Sequence, residues 1–147
     1  MENRGQYSMV NSEMLVRESH LYRKLEKLIS FKKIAYRLKK LTDEGYGKER
    51  IFKMMLLQYM EDLSDREMER YMQENVAAKY FCGFSLTDKT PDYTSFSKMR
   101  ARIGASQLSK IFIIVRKQLI KQGYIGEVFT FVDASHLISK ANLWKER

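Results

Sequence analysis

Asp133 and His136 stand three residues apart in the segment FTFVDASHLISKANLWKER, residues 129–147, and their types are the ones best suited to chemistry. A carboxylate at the C-terminal end of an apolar strand is where α/β folds place catalytic and ligand-binding groups. An Asp in that position also serves as a turn-former or helix cap. His136 could join Asp133 on a metal, but one Asp and one His do not fill a site, since zinc takes three or four protein ligands. Cys82, the single cysteine, sits in the apolar string KYFCGF and reads as a buried structural thiol. Without a partner it excludes a disulfide framework and suits a reducing cytoplasm. The chain has no glycine-rich phosphate loop, no HExxH and no Ser/His/Asp constellation with workable spacing.

Positive charge is the second candidate for function. The net charge is +9, and it is segregated. Residues 1–40 hold ten basic and four acidic residues, 41–92 hold seven and eleven, and 93–147 hold ten and three. Such asymmetry points to a polyanionic partner at the two basic segments. The densest stretch carries Arg23, Lys24, Lys27, Lys32, Lys33, Arg37, Lys39 and Lys40 against Glu26 alone. Cations in that density can lie along phosphates, each neutralised phosphate releasing counterions. A solvated helix face, a membrane surface or a partner groove would use the same residues.

The elements that must position these groups follow from periodicity. With 147 residues the chain has room for one core, and no apolar run approaches the ~20 residues that span a bilayer. MENRGQYSMVNSEM has neither a secretory nor a transit pattern. In HLYRKLEKLISFKKIAYRLKKL, Leu21, Leu25, Leu28, Ala35 and Leu38 recur at spacings of three, four or seven, which predicts one amphipathic helix capped by Ser19 and stopped by Gly45. ERIFKMMLLQYMEDL is apolar on most sides and predicts a core helix, with Met54, Met55 and Met60 as packing. Ser64 and Glu67 form a capping box for SDREMERYM, and a helical period continues from Asn75 to about Phe81.

Beyond the polar break LTDKTPDY, Asp92 or Thr94 caps YTSFSKMRARIG, with Phe96, Met99 and Ile103 inward and Lys98, Arg100 and Arg102 outward. SQLSKIFIIVRKQLIKQG then buries Leu108, Ile111, Phe112, Val115 and Leu119. Spacing argues against a helix-turn-helix for SDREMERYM and TSFSKMRARI, because that motif joins its helices by a turn of about 3–4 residues and a further helix intervenes. VFTFVD changes the period to two and predicts a strand buried on both faces, for which no other segment offers a neighbour.

Taken in order, LSDREMERYM, AKYFCGFSLTDKTPDYTSFSKMRARIG, KIFIIVRKQLIKQGYIG and FVDASHLISKA resemble the N-terminal half of bacterial insertion-sequence transposases of the insertion-sequence-five family, over about residues 45–143. The resemblance implies a mainly α chain: a helical N-terminal domain followed by the first β-strand of a truncated ribonuclease-H-like α/β catalytic domain. It divides the sequence into a basic helical region at 1–44, a helical DNA-binding domain at 45–123 and the start of the catalytic domain at 124–147. It maps the first Asp of an Asp-Asp-Glu triad onto Asp133, a catalytic ligand for Mg²⁺ or Mn²⁺. Paired metals suit phosphoryl transfer because they stabilise both the attacking and the leaving oxygen. The second Asp and the Glu would lie beyond Arg147, so the chain alone is expected to be inactive and to hold no metal tightly. The expected partner is double-stranded DNA at transposon terminal inverted repeats, contacted by Arg23, Lys24, Lys27, Lys33, Arg37, Lys40, Lys98, Arg100 and Arg102. The further expectations are a possible homo-oligomer, no membrane and a bacterial cytoplasmic location. The competing reading is a stand-alone basic helical nucleic-acid-binding or regulatory protein without catalysis.

Overall fold

The computed structural model describes residues 9–39 and 45–123, which form eight helices and, among the described residues, no strand. In chain order these are α1 Ser12–Leu15, α2 Leu21–Leu28, α3 Phe31–Arg37, α4 Lys48–Met60, α5 Asp65–Glu74, α6 Val76–Cys82, α7 Tyr93–Ile103 and α8 Ala105–Lys121. The expected strand VFTFVD, with Asp133, and His136 and Lys40 lie outside the described residues.

Helix α4 is the axis of the molecule. Every residue from Ile51 to Met60 is buried, so the helix needs packing on all sides, and α3, α6 and α7 all lie against it. Phe52 of α4 faces Phe31 of α3 at 6.2 Å and Phe112 of α8 at 5.8 Å between ring centroids. Phe81 of α6 meets Phe31 edge-on at 5.3 Å. Each such ring removed from water contributes about 1.5–3 kcal/mol. One contiguous core takes in Leu25, Ile34 and Leu38 together with Phe96, Val115 and Leu119. The hydrophobic packing therefore crosses residue 44 without a break, and the segments 1–44 and 45–123 do not own separate cores.

The basic stretch forms two helices where one was expected. Its buried positions explain the interruption. Tyr22, Leu25 and Ile29 face inward, and so do Phe31, Ile34 and Leu38. On a continuous helix residues 29 and 31 would sit about 200° apart, so both sets reach the core only if the chain leaves helical geometry between them. It does so at Ile29, which has φ −114° and ψ 130°. The N-cap of α2 is His20, one residue later than expected, with Nδ1 accepting from Tyr22 N at 3.0 Å.

The remaining caps follow the sequence. Ser64 Oγ accepts from Glu67 N, and Glu67 returns a carboxylate oxygen to Ser64 N. Asn75 caps α6, and Asp92 Oδ1 accepts from Ser95 N at 3.1 Å to cap α7. Gly83, at φ 80°, closes α6 in the left-handed region where glycine is least strained, and Phe84 N reaches back to Lys79 O at 2.8 Å.

Polar side chains lock the helices to one another. Arg100 was expected outward on α7, yet it is 8% exposed and grips Asp65 of α5 with two bonds, Nη1 to Oδ1 at 2.7 Å and Nη2 to Oδ2 at 2.9 Å. Gln58 of α4 completes the triangle, its Oε1 accepting from Arg100 at 3.1 Å and its Nε2 donating to Asp65 at 2.7 Å. Glu69 of α5 accepts from Tyr93 N, the first amide of α7, at 3.0 Å. Three helices thus meet through charge-assisted bonds with planar, bidentate geometry.

Candidate nucleic-acid interface

Helix α3 presents two different faces. Phe31, Ile34 and Leu38 are buried, while Lys32, Lys33, Tyr36 and Arg37, and Lys39 just beyond the helix, are exposed. Helix α8 lies alongside, fastened at both ends by glutamine amides that donate to main-chain carbonyls. Gln107 reaches Arg37 O at 2.7 Å, and Gln122 reaches Leu28 O at 2.7 Å. These carbonyls belong to the last turns of α3 and α2, where helix geometry leaves acceptors without intrahelical partners. The two bonds also set direction: α8 runs back along α3 toward the end of α2.

A cleft opens between α3 and α8, lined by Tyr36, Arg37 and Lys39 on one side and by Gln107, Lys110, Ile111 and Ile114 on the other. Tyr36 stands at its edge with 81% of its surface exposed. Along α8 the exposed Lys110, Lys117 and Lys121 repeat at spacings of seven and four, a single stripe about 16 Å long. No Asp or Glu occurs from Lys27 to Lys39 or from Tyr93 to Gly126. Arg23, Lys53 and Arg100, by contrast, are held in salt bridges.

The expected DNA-contacting residues divide into groups. Lys33 and Arg37 share the exposed face of α3, whereas Lys24 is half-buried and Lys27 exposed on α2. Lys98 and Arg102 are exposed on α7, one turn apart and outside the cleft. Arg100 is committed to Asp65. Arg23 is committed as well: it is 8% exposed, donates to Glu13 O at 2.7 Å, Val16 O at 2.8 Å and Tyr80 Oη at 3.0 Å, and stacks over the Tyr80 ring at 4.6 Å. It fastens the segment around α1 to α6. The lysines of α8 are the gain from the structure, since only the packing of α8 on α3 shows that their stripe extends the same face.

Elsewhere the titratable groups serve packing. Lys53 is 7% exposed, with Nζ 2.6 Å from Glu26 Oε1 and 3.4 Å from Glu49 Oε1, above the Phe31 and Phe81 rings. Burial pushes the Cys82 thiol well above its ordinary range, as expected of an inert structural cysteine. No group of three or more His, Cys, Asp or Glu with metal-binding geometry occurs among the described residues. No helix among them is long and apolar enough to cross a membrane.

The family described as Transposase domain (DUF772) matches residues 10–102, which run from just before α1 to the penultimate residue of α7. No curated protein and no solved structure matches the chain.

Proposed function

The chain belongs to the Transposase domain (DUF772) family, and from that premise we propose that it binds transposon-end DNA for a metal-dependent transposase of the Asp-Asp-Glu type, related to the insertion-sequence-five group. The observation that carries the DNA-binding reading is the basic face of α3 and α8, whose own segments contain no Asp or Glu. Lys32, Lys33, Arg37 and Lys39 rise from one element and Lys110, Lys117 and Lys121 from the other, all exposed. Phosphates of a duplex are the partner that such a face suits, because the gain comes from counterion release along a regular line of negative charge. Lys27 on α2 and Lys98 and Arg102 on α7 would extend the contact to flanking phosphates.

In this reading Asp133 is the first carboxylate of the catalytic set and would offer hard oxygen to Mg²⁺. Bound metal would polarise the phosphoryl group and stabilise its entering and leaving oxygens. The described helices contribute no further carboxylate cluster. Their part is to hold DNA, through cations fixed on a rigid core.

The test is the salt dependence of binding to an inverted-repeat duplex, followed by fluorescence anisotropy. If four to six cations engage phosphates, log Kobs against log salt has a slope of about −4 to −5, and replacing both Lys33 and Lys110 by Ala reduces it by about 2. A slope near zero, or no change in the double variant, defeats the assignment. The Asp133 assignment is tested separately by calorimetric titration of the chain with Mn²⁺: no tight site is expected, and a tight site that Asp133→Ala removes would overturn the reading of Asp133 as one member of a three-carboxylate set.

A further inference from the structure

The α3/α8 cleft has features that a line of phosphates does not use. Phosphates need cations alone, and the stripe on α8 already supplies them. The cleft adds an exposed aromatic ring, Tyr36, beside the apolar side chains of Ile111 and Ile114, with Arg37, Lys39 and Lys110 around it. An 81% exposed tyrosine ring forgoes the burial that drives most aromatic side chains inward. A paired base hides both its π-faces in the duplex stack and offers this ring nothing. An unpaired base offers a face to the ring, while its own phosphate and the next fall to the surrounding cations.

Building on the DNA-binding reading above, we propose that the cleft between α3 and α8 seats an unpaired nucleotide of DNA, with Tyr36 as the stacking platform and Arg37, Lys39 and Lys110 on the adjacent phosphates. The ligand class is single-stranded or locally unpaired DNA, such as a frayed or opened end. The mode is sequence-tolerant, because every base has a π-face, and it therefore complements duplex binding by the wider stripe without duplicating it. Ile111 is 2% exposed and belongs to the core, so the inner wall of the seat is rigid and the rim, at Tyr36 and Lys110, is adjustable.

Anisotropy titrations with an oligothymidylate of about twelve nucleotides and with a blunt duplex of the same length test the proposal. Tyr36→Ala is expected to weaken oligothymidylate binding by about 5- to 150-fold, the range set by one lost base stack, and to change duplex binding by less than about 2-fold. Tyr36→Phe keeps the ring and is expected to retain oligothymidylate affinity, which separates stacking from hydrogen bonding by the hydroxyl. Tyr36 is on the surface, so far-ultraviolet circular dichroism of both variants should match the parent. Equal losses on both probes, no loss with Tyr36→Ala, or duplex binding without oligothymidylate binding overturns the seat while leaving the duplex reading intact. Failure of the parent protein to bind either probe overturns both.

Discussion

Asp65→Ala and Arg100→Met remove the two ends of one ion pair, and the structure says that they will not cost the same. Removing Asp65 takes the carboxylate from a guanidinium that is 8% exposed and leaves Gln58 Oε1 at 3.1 Å within the triangle. Breaking a buried ion pair by removing one partner costs about 3–5 kcal/mol. Removing Arg100 leaves a carboxylate whose side chain is 26% exposed and which still accepts from Gln58 Nε2 at 2.7 Å. That group can rehydrate, so its loss is nearer the ~1.5–3 kcal/mol of a hydrogen bond to a charged group, partly offset by the apolar fill from methionine. Asp65→Ala is therefore expected to cost about 3–4 kcal/mol and Arg100→Met about 1–2 kcal/mol.

Urea unfolding followed at 222 nm measures both, with the change in midpoint scaled by a common m-value. The double variant closes the cycle. Asp65 also sits in the first turn of α5, where its charge favours the helix dipole, but that contribution is independent of Arg100 and cancels. The expected coupling is about 2 kcal/mol, the double variant being more stable than the summed single costs. Equal single costs, a larger cost for Arg100→Met, or strict additivity would show that the Gln58, Asp65 and Arg100 triangle does not hold α4, α5 and α7 together as described. At temperatures where Arg100→Met remains folded, its salt slope on duplex DNA should equal the parent's, because its guanidinium is already occupied by Asp65.

Three further outcomes are expected. Burial first, then Arg17, lowers the His20 pKa, so between that lowered value and the ordinary 6.5 the unfolded chain binds a proton that the folded chain refuses. The stability supplied by the neutral Nδ1 cap is complete above pH 6.5 and is lost as pH falls through the folded pKa; melting temperature should decline below pH 6.5 more steeply in the parent than in His20→Asn, whose side chain caps without titrating. Asn75→Ala removes the acceptor for Ala78 N and should cost about 1 kcal/mol in urea unfolding, whereas an unchanged midpoint would mean that the cap is dispensable. Cys82 is fully buried with its pKa pushed up, so a thiol reagent at pH 8 should label it only at the rate of opening, and rapid labelling of folded protein would contradict the packing of α6.

Much of the helical layout was legible because local chemistry and burial agreed. The capping box at Ser64 and Glu67 and the inward sets of α7 and α8 follow directly from spacing. What escaped was decided by tertiary demands on individual residues. The break at Ile29 is invisible to a leucine period, because Leu28, Phe31, Ile34 and Leu38 keep helical spacings of three, three and four across it, and only the burial of Tyr22 and Ile29 on another side demands it. Arg23 and Arg100 were counted as surface charge, yet a signal was present for Arg100: it shares one stripe with Phe96 and Ile103, at spacings of four and three, and a cation on a buried stripe needs an internal partner. The lysines of α8 went unassigned because nothing in their own segment shows that α8 runs beside α3. Asp65, Glu69, Asp92 and Arg100, all within the segments whose order resembles transposases, join α5 to α7 or cap α7.

The two glutamine fasteners have a consequence for how such a protein can change. Gln107 and Gln122 hold α8 to carbonyl oxygens of Arg37 and Leu28, and a carbonyl is supplied by whatever amino acid stands there. The joint is thus blind to side-chain identity along the outward face of α3. Lys32, Lys33, Tyr36 and Arg37 can be exchanged, singly or together, without loosening the helix pair that displays them. A scaffold fastened in this way separates the evolution of target preference from the maintenance of the fold.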